Sequence, residues 1–578
     1  MSRPSSGAPR RALARTPAAC LAALAVLLAG CGDDDDDSTP PVASRPIAER
    51  CSTAFLQPPA GMTLAATEIV PAANGEPEHC RVQARLAERA GVNGQTYAIQ
   101  FNLRLPADPA WNGRFLFQAQ GGSDGNLGDA KGGVGAGLPN ALTRGFAVVS
   151  TDAGHSNQAN NDPQRGGTAT FGLDPQARLD YGYNALDQVT RQSKSLIQGF
   201  YGKGPDRSYV LGCSNGGRHA MMASQRFPQH FDGVVAGNPG FNLPQAAVAE
   251  AFDSQQFARA ATANDAAGRP LIFTAFSPAD MQLVAERVTA QCDALDGAAD
   301  GIVGDYRRCG FAPASLDALS CGTGPKTASC ITPTQIDVIR QVMAGARNAA
   351  GQQLYSDWAW DPGIAGGGWR AWKLGNPNAN NLNNAINLTL GAGALPYIFT
   401  TPPVEATDLV RFMLSYSMDT DAPKIFATSG SFTQSAMQFM APNSPDLSAF
   451  RARGGKMIVY HGIADPVFSF NDTARWYDRV VAANGGGAGG LTATQSFARL
   501  IPIPGQNHCG GGPTVDQWDP LATIVAWVEQ NQAPTAVVAT ASAQTPWPGR
   551  TRPLCSYPQV ARYVGTGSIE QAASFRCE

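Results

Sequence analysis

The sequence predicts an α/β fold, a mostly parallel sheet with flanking helices that carries a large inserted segment, and three observations predict it. Two stretches of the 578-residue chain alternate short apolar strands with helical patterns, and strands separated by helices pair in parallel. Between them, over residues 241–450, the texture changes to short helical patterns rich in Ala, Asn and Gly, with four tryptophans from Trp358 to Trp372. At residues 212–216, Gly-Cys-Ser-Asn-Gly stands between a strand pattern and a helical one.

Residues 1–30 place Arg3, Arg10, Arg11 and Arg15 before an apolar run from Ala18 to Ala29, the pattern of an export signal. That run ends in Leu28-Ala29-Gly30-Cys31, which resembles a bacterial lipobox and predicts an exported chain, periplasmic or anchored to the outer membrane through lipid on Cys31, with free secretion as the alternative. Residues 31–50, with Asp33–Asp37 and the following prolines, read as a solvated linker. No later run is long and apolar enough to span a bilayer, so membrane contact is expected through the anchor alone. Loss of residues 1–30 removes four arginines and no acid, taking the formal charge from −3 to −7. No basic stripe remains, which excludes nucleic acid as a partner.

The first alternating region supplies Ala98–Leu105 as an antiparallel strand, then Arg114–Phe117, Phe146–Val149 and Tyr209–Leu211 as buried strands. Its longest helix is expected over 185–201, stopped by Gly202. The second supplies Lys456–Tyr460, a helix near Ser469–Ala483, the strand Phe497–Ile501 and a helix through Pro520–Gln530. One domain therefore comprises 51–240 and 451–578, with 241–450 as a lid. An insertion after strands of a parallel sheet roofs their C-terminal ends, where such sheets bind ligands.

Of twelve cysteines, Cys20 lies in the signal and Cys31 at the lipobox, leaving an even ten, as suits an oxidising compartment. Nearness in sequence pairs Cys51 with Cys80, Cys292 with Cys309, Cys321 with Cys330 and Cys555 with Cys577. Elimination then joins Cys213 to Cys509. Such a bond would hold the neighbouring Ser214 and His508 within a few ångströms of each other.

The pattern G-x-S-x-G occurs twice, around Ser123 and around Ser214, but only Ser214 lies between a strand and a helix. That context is the nucleophile elbow of an α/β-hydrolase, which lifts the hydroxyl above the sheet and aims the next backbone N–H, here that of Asn215, at a developing oxyanion. A serine needs a base. Among six histidines, His508 occupies a glycine-rich loop after a late strand, where this fold supplies one, whereas His461 ends a strand and is expected to satisfy backbone groups. Asp465, in the loop after Lys456–Tyr460, falls between serine and histidine in chain order and orients the imidazole, while Asp472 falls inside the next helix. The turn Gln120–Asp124 fits the loop that completes the oxyanion pocket, and the sequence leaves open which of its amides donates.

Apart from these stands Cys292-Asp293-Ala-Leu-Asp296-Gly-Ala298-Ala-Asp300-Gly-Ile302. Three carboxylates with turn-permitting glycines suit calcium, although the spacing is not that of an EF-hand. Its place in the insertion predicts a structural ion.

The Cys213-Ser214, Asp465 and His508-Cys509 arrangement, with the runs FGLDPQARLDYGYN, CDALDGAADGIV, KMIVYHGIADPVFS and RTRPLCSYPQVARY, resembles the tannase and feruloyl esterase family across nearly the whole mature chain. The resemblance implies an α/β-hydrolase esterase with no organic cofactor, acting through an acyl-enzyme on small aromatic esters of terephthalate-monoester, feruloyl or galloyl type. It also implies calcium held by Asp293, Asp296 and Asp300 side chains and the carbonyls of Ala298 and Ile302, a second oxyanion amide at Asp124, and Phe468 and Trp372 packed on the substrate ring. A lid arginine that would grip a free carboxylate has no counterpart, because no basic residue lies between Lys373 and Arg411. The sequence leaves two other classes standing, a periplasmic serine peptidase and a non-catalytic aromatic-binding lipoprotein, and it does not address oligomeric state.

Overall fold

The computed structural model describes residues 45–135 and 137–578. The export signal, Cys31 and the linker as far as residue 44 lie outside the described residues. A nine-stranded sheet organises the rest, with β1 Met62–Val70, β2 His79–Ala90, β3 Thr96–Pro106, β4 Arg114–Ala119, β5 Ala147–Thr151, β6 Arg207–Cys213, β7 Gly233–Gly237, β8 Lys456–Gly462 and β9 Ala498–Ile503. Their order across the sheet is β1-β2-β3-β5-β4-β6-β7-β8-β9. The first three join antiparallel, β3 meets β5 antiparallel, and every pair from β5 to β9 is parallel.

The parallel strands are short apolar runs because helices cover both of their faces. All five residues of β5 are buried, as are all five of β7. The helix Ala185–Tyr201 buries Leu186, Val189, Ser193, Leu196, Ile197 and Phe200, one stripe at helical spacing, and Gly202 ends it with a φ of 76°. The expected strands and helices of both alternating regions are present. β1, β2 and β7 were not expected: β2 mixes buried Val82, Ala84 and Leu86 with Arg81, Arg85 and Glu88, and β7 is five residues bounded by glycines.

Between β7 and β8 runs the insertion, with helices Leu243–Ala260, Pro278–Cys292, Pro333–Ala344, Gly367–Lys373 and Ile386–Ala394 among others. Within it Lys373, fully buried, donates to Asp253 at 2.5 Å and lies 3.7 Å from the Trp358 ring. The five disulfides pair as expected, Cys51–Cys80, Cys213–Cys509, Cys292–Cys309, Cys321–Cys330 and Cys555–Cys577. Among the described residues no helix is long and apolar enough to cross a membrane.

Candidate active site

β6 runs straight into Ser214, whose φ of 67° and ψ of −127° turn the chain sharply before the helix Asn215–Arg226 begins. The flanking glycines are steric necessities. A Cβ at Gly216 would stand 2.4 Å from the Ala119 carbonyl oxygen, and one at Gly212 would stand 2.6 Å from the Gly216 backbone. With those gaps filled by backbone, Ser214 Oγ reaches 2.8 Å from His508 Nε2, and His508 Nδ1 lies 2.9 Å from Asp465 Oδ2. A carboxylate only accepts, so Nδ1 carries the proton toward Asp465 and Nε2 is left to accept the serine hydroxyl.

Asp465 is buried to 2 % exposure yet well provided with donors. Asn238 Nδ2 donates to its Oδ2 at 2.6 Å, and the amides of Val467 and Phe468 donate to its Oδ1 at 2.7 and 3.1 Å. Burial alone would raise its pKa, but the imidazoles of His508 and His461 outweigh that and hold the carboxyl far below the usual carboxylate range. Sequence reasoning missed Asn238. Its signal was the Asn-Pro-Gly turn after an unrecognised strand, and at φ 38° the residue sits in a left-handed conformation that asparagine tolerates. His461 does meet a backbone group, the Phe468 carbonyl at 3.0 Å, and the Thr473 hydroxyl at 2.9 Å, but it also lies 3.4 Å from Asp465. Asp472 is elsewhere, accepting from Asn242 inside its helix.

The Cys213–Cys509 bond spans 6.0 Å between Cα atoms and joins residues 296 apart in sequence. In the chain-entropy account, closing so long a loop stabilises the folded state by on the order of 5 kcal/mol. Ser214, Asn238 and Cys509 all hold positive φ, so strain of about 1–3 kcal/mol per residue collects around the site, where surrounding structure must sustain it.

The turn Gly121–Asp124 packs on the elbow, since a Cβ at Gly121 would fall 3.7 Å from Ser214 Cβ. The Asp124 amide, expected to point at the oxyanion, instead donates back to the Gly121 carbonyl at 3.4 Å, because the turn closes with Asp124 at φ 55°. Its carboxylate is what meets the elbow: Oδ2 accepts from Asn215 Nδ2 at 2.9 Å and from His219 Nε2 at 2.8 Å.

Trp372 and Phe468 flank His508 edge-on, with ring centroids 4.9 and 5.4 Å away. The two cations flanking Trp372 in sequence have other partners. Lys373 is spent on Asp253, and Arg370 donates to the carbonyls of Phe276 and Phe273.

In the acidic segment, Asp293 accepts the amides of Asp300 and Gly301, Asp296 accepts that of Ala298, and Asp300 is paired with Arg552. The Ile302 carbonyl accepts from Gly304. Among the described residues no three acidic, His or Cys side chains converge as a metal centre. The donor chemistry nonetheless fits a hard cation. Burial first, and then the charges of Asp300 and Asp293, push the Asp296 carboxyl up to about 7, and burial also raises Asp293. An ion there would relieve that repulsion.

Residues 80–578 match the family model described as tannase and feruloyl esterase. The chain is 47% identical over 525 residues to the mono(2-hydroxyethyl) terephthalate hydrolase of Piscinibacter sakaiensis, covering 87% of this chain and 85% of that one. It is 28% identical to a probable feruloyl esterase B-2 of Neosartorya fischeri over 81% of each chain. The crystal structure of feruloyl esterase B from Aspergillus oryzae superposes with a TM-score of 0.71 at 24% identity, covering 92% of this chain and 99% of that one, which shows the shared fold.

Proposed function

The chain belongs to the tannase and feruloyl esterase family, and from that premise we propose that it is an exported serine esterase that cleaves uncharged aromatic esters through an acyl-enzyme. The observation that carries the reading is the unbroken line from Ser214 Oγ through His508 to Asp465, with serine and histidine joined through their neighbouring cysteines.

In this reading Ser214 Oγ attacks the ester carbonyl carbon while His508 Nε2 takes its proton. The carbonyl oxygen becomes an oxyanion facing the Asn215 amide and the Gly121–Ser123 turn. The carbon–oxygen bond to the alcohol then breaks, and His508 returns the proton to the departing alkoxide. Water repeats the sequence on the acyl-enzyme and releases the acid. Asp465 never takes the proton; its charge stabilises the imidazolium formed in each step.

Trp372 and Phe468 beside the imidazole supply flat apolar walls for a ring. The substrate named for the 47%-identical relative carries a free carboxylate. Here Lys373 and Arg370, which flank Trp372 in sequence, are committed to other partners, which supports an uncharged acyl group. Export is supported by the five disulfides.

The test is a substrate panel of methyl ferulate, methyl gallate, a terephthalate diester and its monoester. We expect turnover of the uncharged esters, weaker turnover of the monoester, and a loss of about 10³-fold or more in Ser214→Ala. A strong monoester preference overturns the uncharged-substrate reading, and amide cleavage without ester turnover overturns the esterase.

The same reading places a structural calcium on Asp293, Asp296 and Asp300 with the carbonyls of Ala298 and Ile302. Chelation should then lower the melting temperature, and added calcium should restore it where magnesium does not. An unchanged melting temperature would remove the ion.

A further inference from the structure

Beneath the turn and the elbow lies a buried polar cluster that the reaction does not use directly. Asp124, Asn215, Arg218 and His219 are each at least nine-tenths buried. Asn215 is its hinge: its backbone opens the elbow helix, while its side chain donates Nδ2–H to Asp124 at 2.9 Å and accepts from Arg218 Nε at 2.6 Å through Oδ1. His219, one turn along the helix, gives Asp124 its second bond at 2.8 Å. Burial and the Arg218 charge both push the His219 imidazole down, and because a carboxylate only accepts, Nε2 is the donor in the bond to Asp124. Arg218 in turn donates to the Gly182 and Tyr181 carbonyls at 2.7 and 3.2 Å, tying the cluster to the neighbouring π-helical turn Asp180–Asn184.

The turn is fastened on its other side as well. Asn157 Nδ2 donates to the Asp124 carbonyl at 2.9 Å, and the Gly125 amide donates to the Asp152 carbonyl at 3.0 Å. Asp124 is thus held between two supports, one leading to β5 and the other into the elbow helix. The strained φ of 55° persists because these bonds over-determine it.

We propose that Asp124 is a positioning residue for ester cleavage: its carboxylate, bonded to Asn215 and His219, sets the separation between the elbow amide and the Gly121–Ser123 turn that together face the oxyanion. This rests on the serine-esterase reading above. An oxyanion pocket is useful only when its donors are already placed where charge develops, and a shift of an ångström costs rate rather than substrate affinity. Here the two sides of the pocket come from chain segments 91 residues apart at the bridge, and the Asp124–Asn215 bond joins them directly.

The experiment measures kcat, KM and boronic-acid inhibition for Asp124→Ala, Asn215→Ala, the double variant and Asp124→Asn, with rates normalised to sites labelled by a fluorophosphonate. Asn215→Ala keeps the backbone amide and removes the bridge to Asp124 together with the acceptor for Arg218 Nε. We expect each alanine variant to lower kcat by about 10- to 100-fold with KM nearly unchanged. Affinity for an aryl boronic acid, whose tetrahedral adduct imitates the oxyanion, should fall by a similar factor. The double variant should be no slower than the slower single variant, and Asp124→Asn should recover much of the rate because its carbonyl can still accept. The inference is overturned if kcat stays within twofold, if the two alanine effects multiply, or if rate falls while boronate affinity does not. Absence of ester turnover in the unsubstituted protein would instead defeat the esterase reading.

Discussion

Two carboxylates, Asp465 at the end of the sheet and Glu250 in the insertion, are about equally hidden from water, at 2 % and 7 % exposure, and are driven in opposite directions. Asp465 pays the desolvation cost and recovers it from two amides, one carboxamide and two imidazoles, ending far below its usual range. Glu250 lies on Leu243–Ala260 with its Oε2 so near Gly391 that a Cβ there would fall 2.5 Å away. Burial raises it to about 8; the charge of Lys373 offsets part of the rise, and Asp253, which already accepts from Lys373, adds to it. Burial therefore does not decide whether a carboxylate stays charged. The partners around it do: two imidazoles face Asp465 in the loop after β8, whereas Glu250 meets only the charge of a lysine already bonded to Asp253.

The largest expected effect breaks the comparison at its charged end. Asp465→Asn keeps the shape but lets an amide face Nδ1, so the imidazole loses both its tautomer control and the charge that stabilises the imidazolium. We expect kcat on an aromatic ester to fall by about 10³- to 10⁴-fold, with the protein still folded and Ser214 in place. A fall of less than about tenfold would mean that the donors around Asp465 serve the fold and not the proton transfer.

The same contrast explains what the sequence made legible. Ser214, His508 and Asp465 could be found because elbow, late histidine loop and post-strand acid occur in a fixed order on a parallel sheet, and because cysteine pairing by elimination pointed to the same place. The core strands announced themselves as apolar runs. β7 did not, since Gly233 and Gly237 bracket only three apolar residues, and with it went Asn238, whose role depends on that strand's end. The Gly121–Asp124 turn does lie beside Ser214, but a motif after a strand cannot tell which way each amide turns once φ is positive. The Glu250 cluster left no readable trace. Its residues, Glu250, Asp253, Lys373 and Gly391, come from three helices whose packing no local pattern encodes.

The smaller effect tests the neutral end. Glu250 has an ordinary value of 4.5 and a folded one of about 8, so the folded protein holds this proton more tightly than the unfolded chain does. Below pH 4.5 both states are protonated and the group is neutral to stability. As pH rises from 4.5 toward 8, the unfolded chain releases the proton first, and folding becomes progressively less favourable; above about 8 the full penalty is present. Glu250→Gln keeps a neutral side chain of the same shape at every pH, so it should nearly match the unsubstituted protein at pH 4 and exceed it by about 2 kcal/mol or more at pH 9, read from denaturant midpoints at both values. Equal gains at the two pH values would show that Glu250 is charged throughout and shares Lys373 with Asp253. The insertion would then resemble the sheet end after all, with charge retained by pairing.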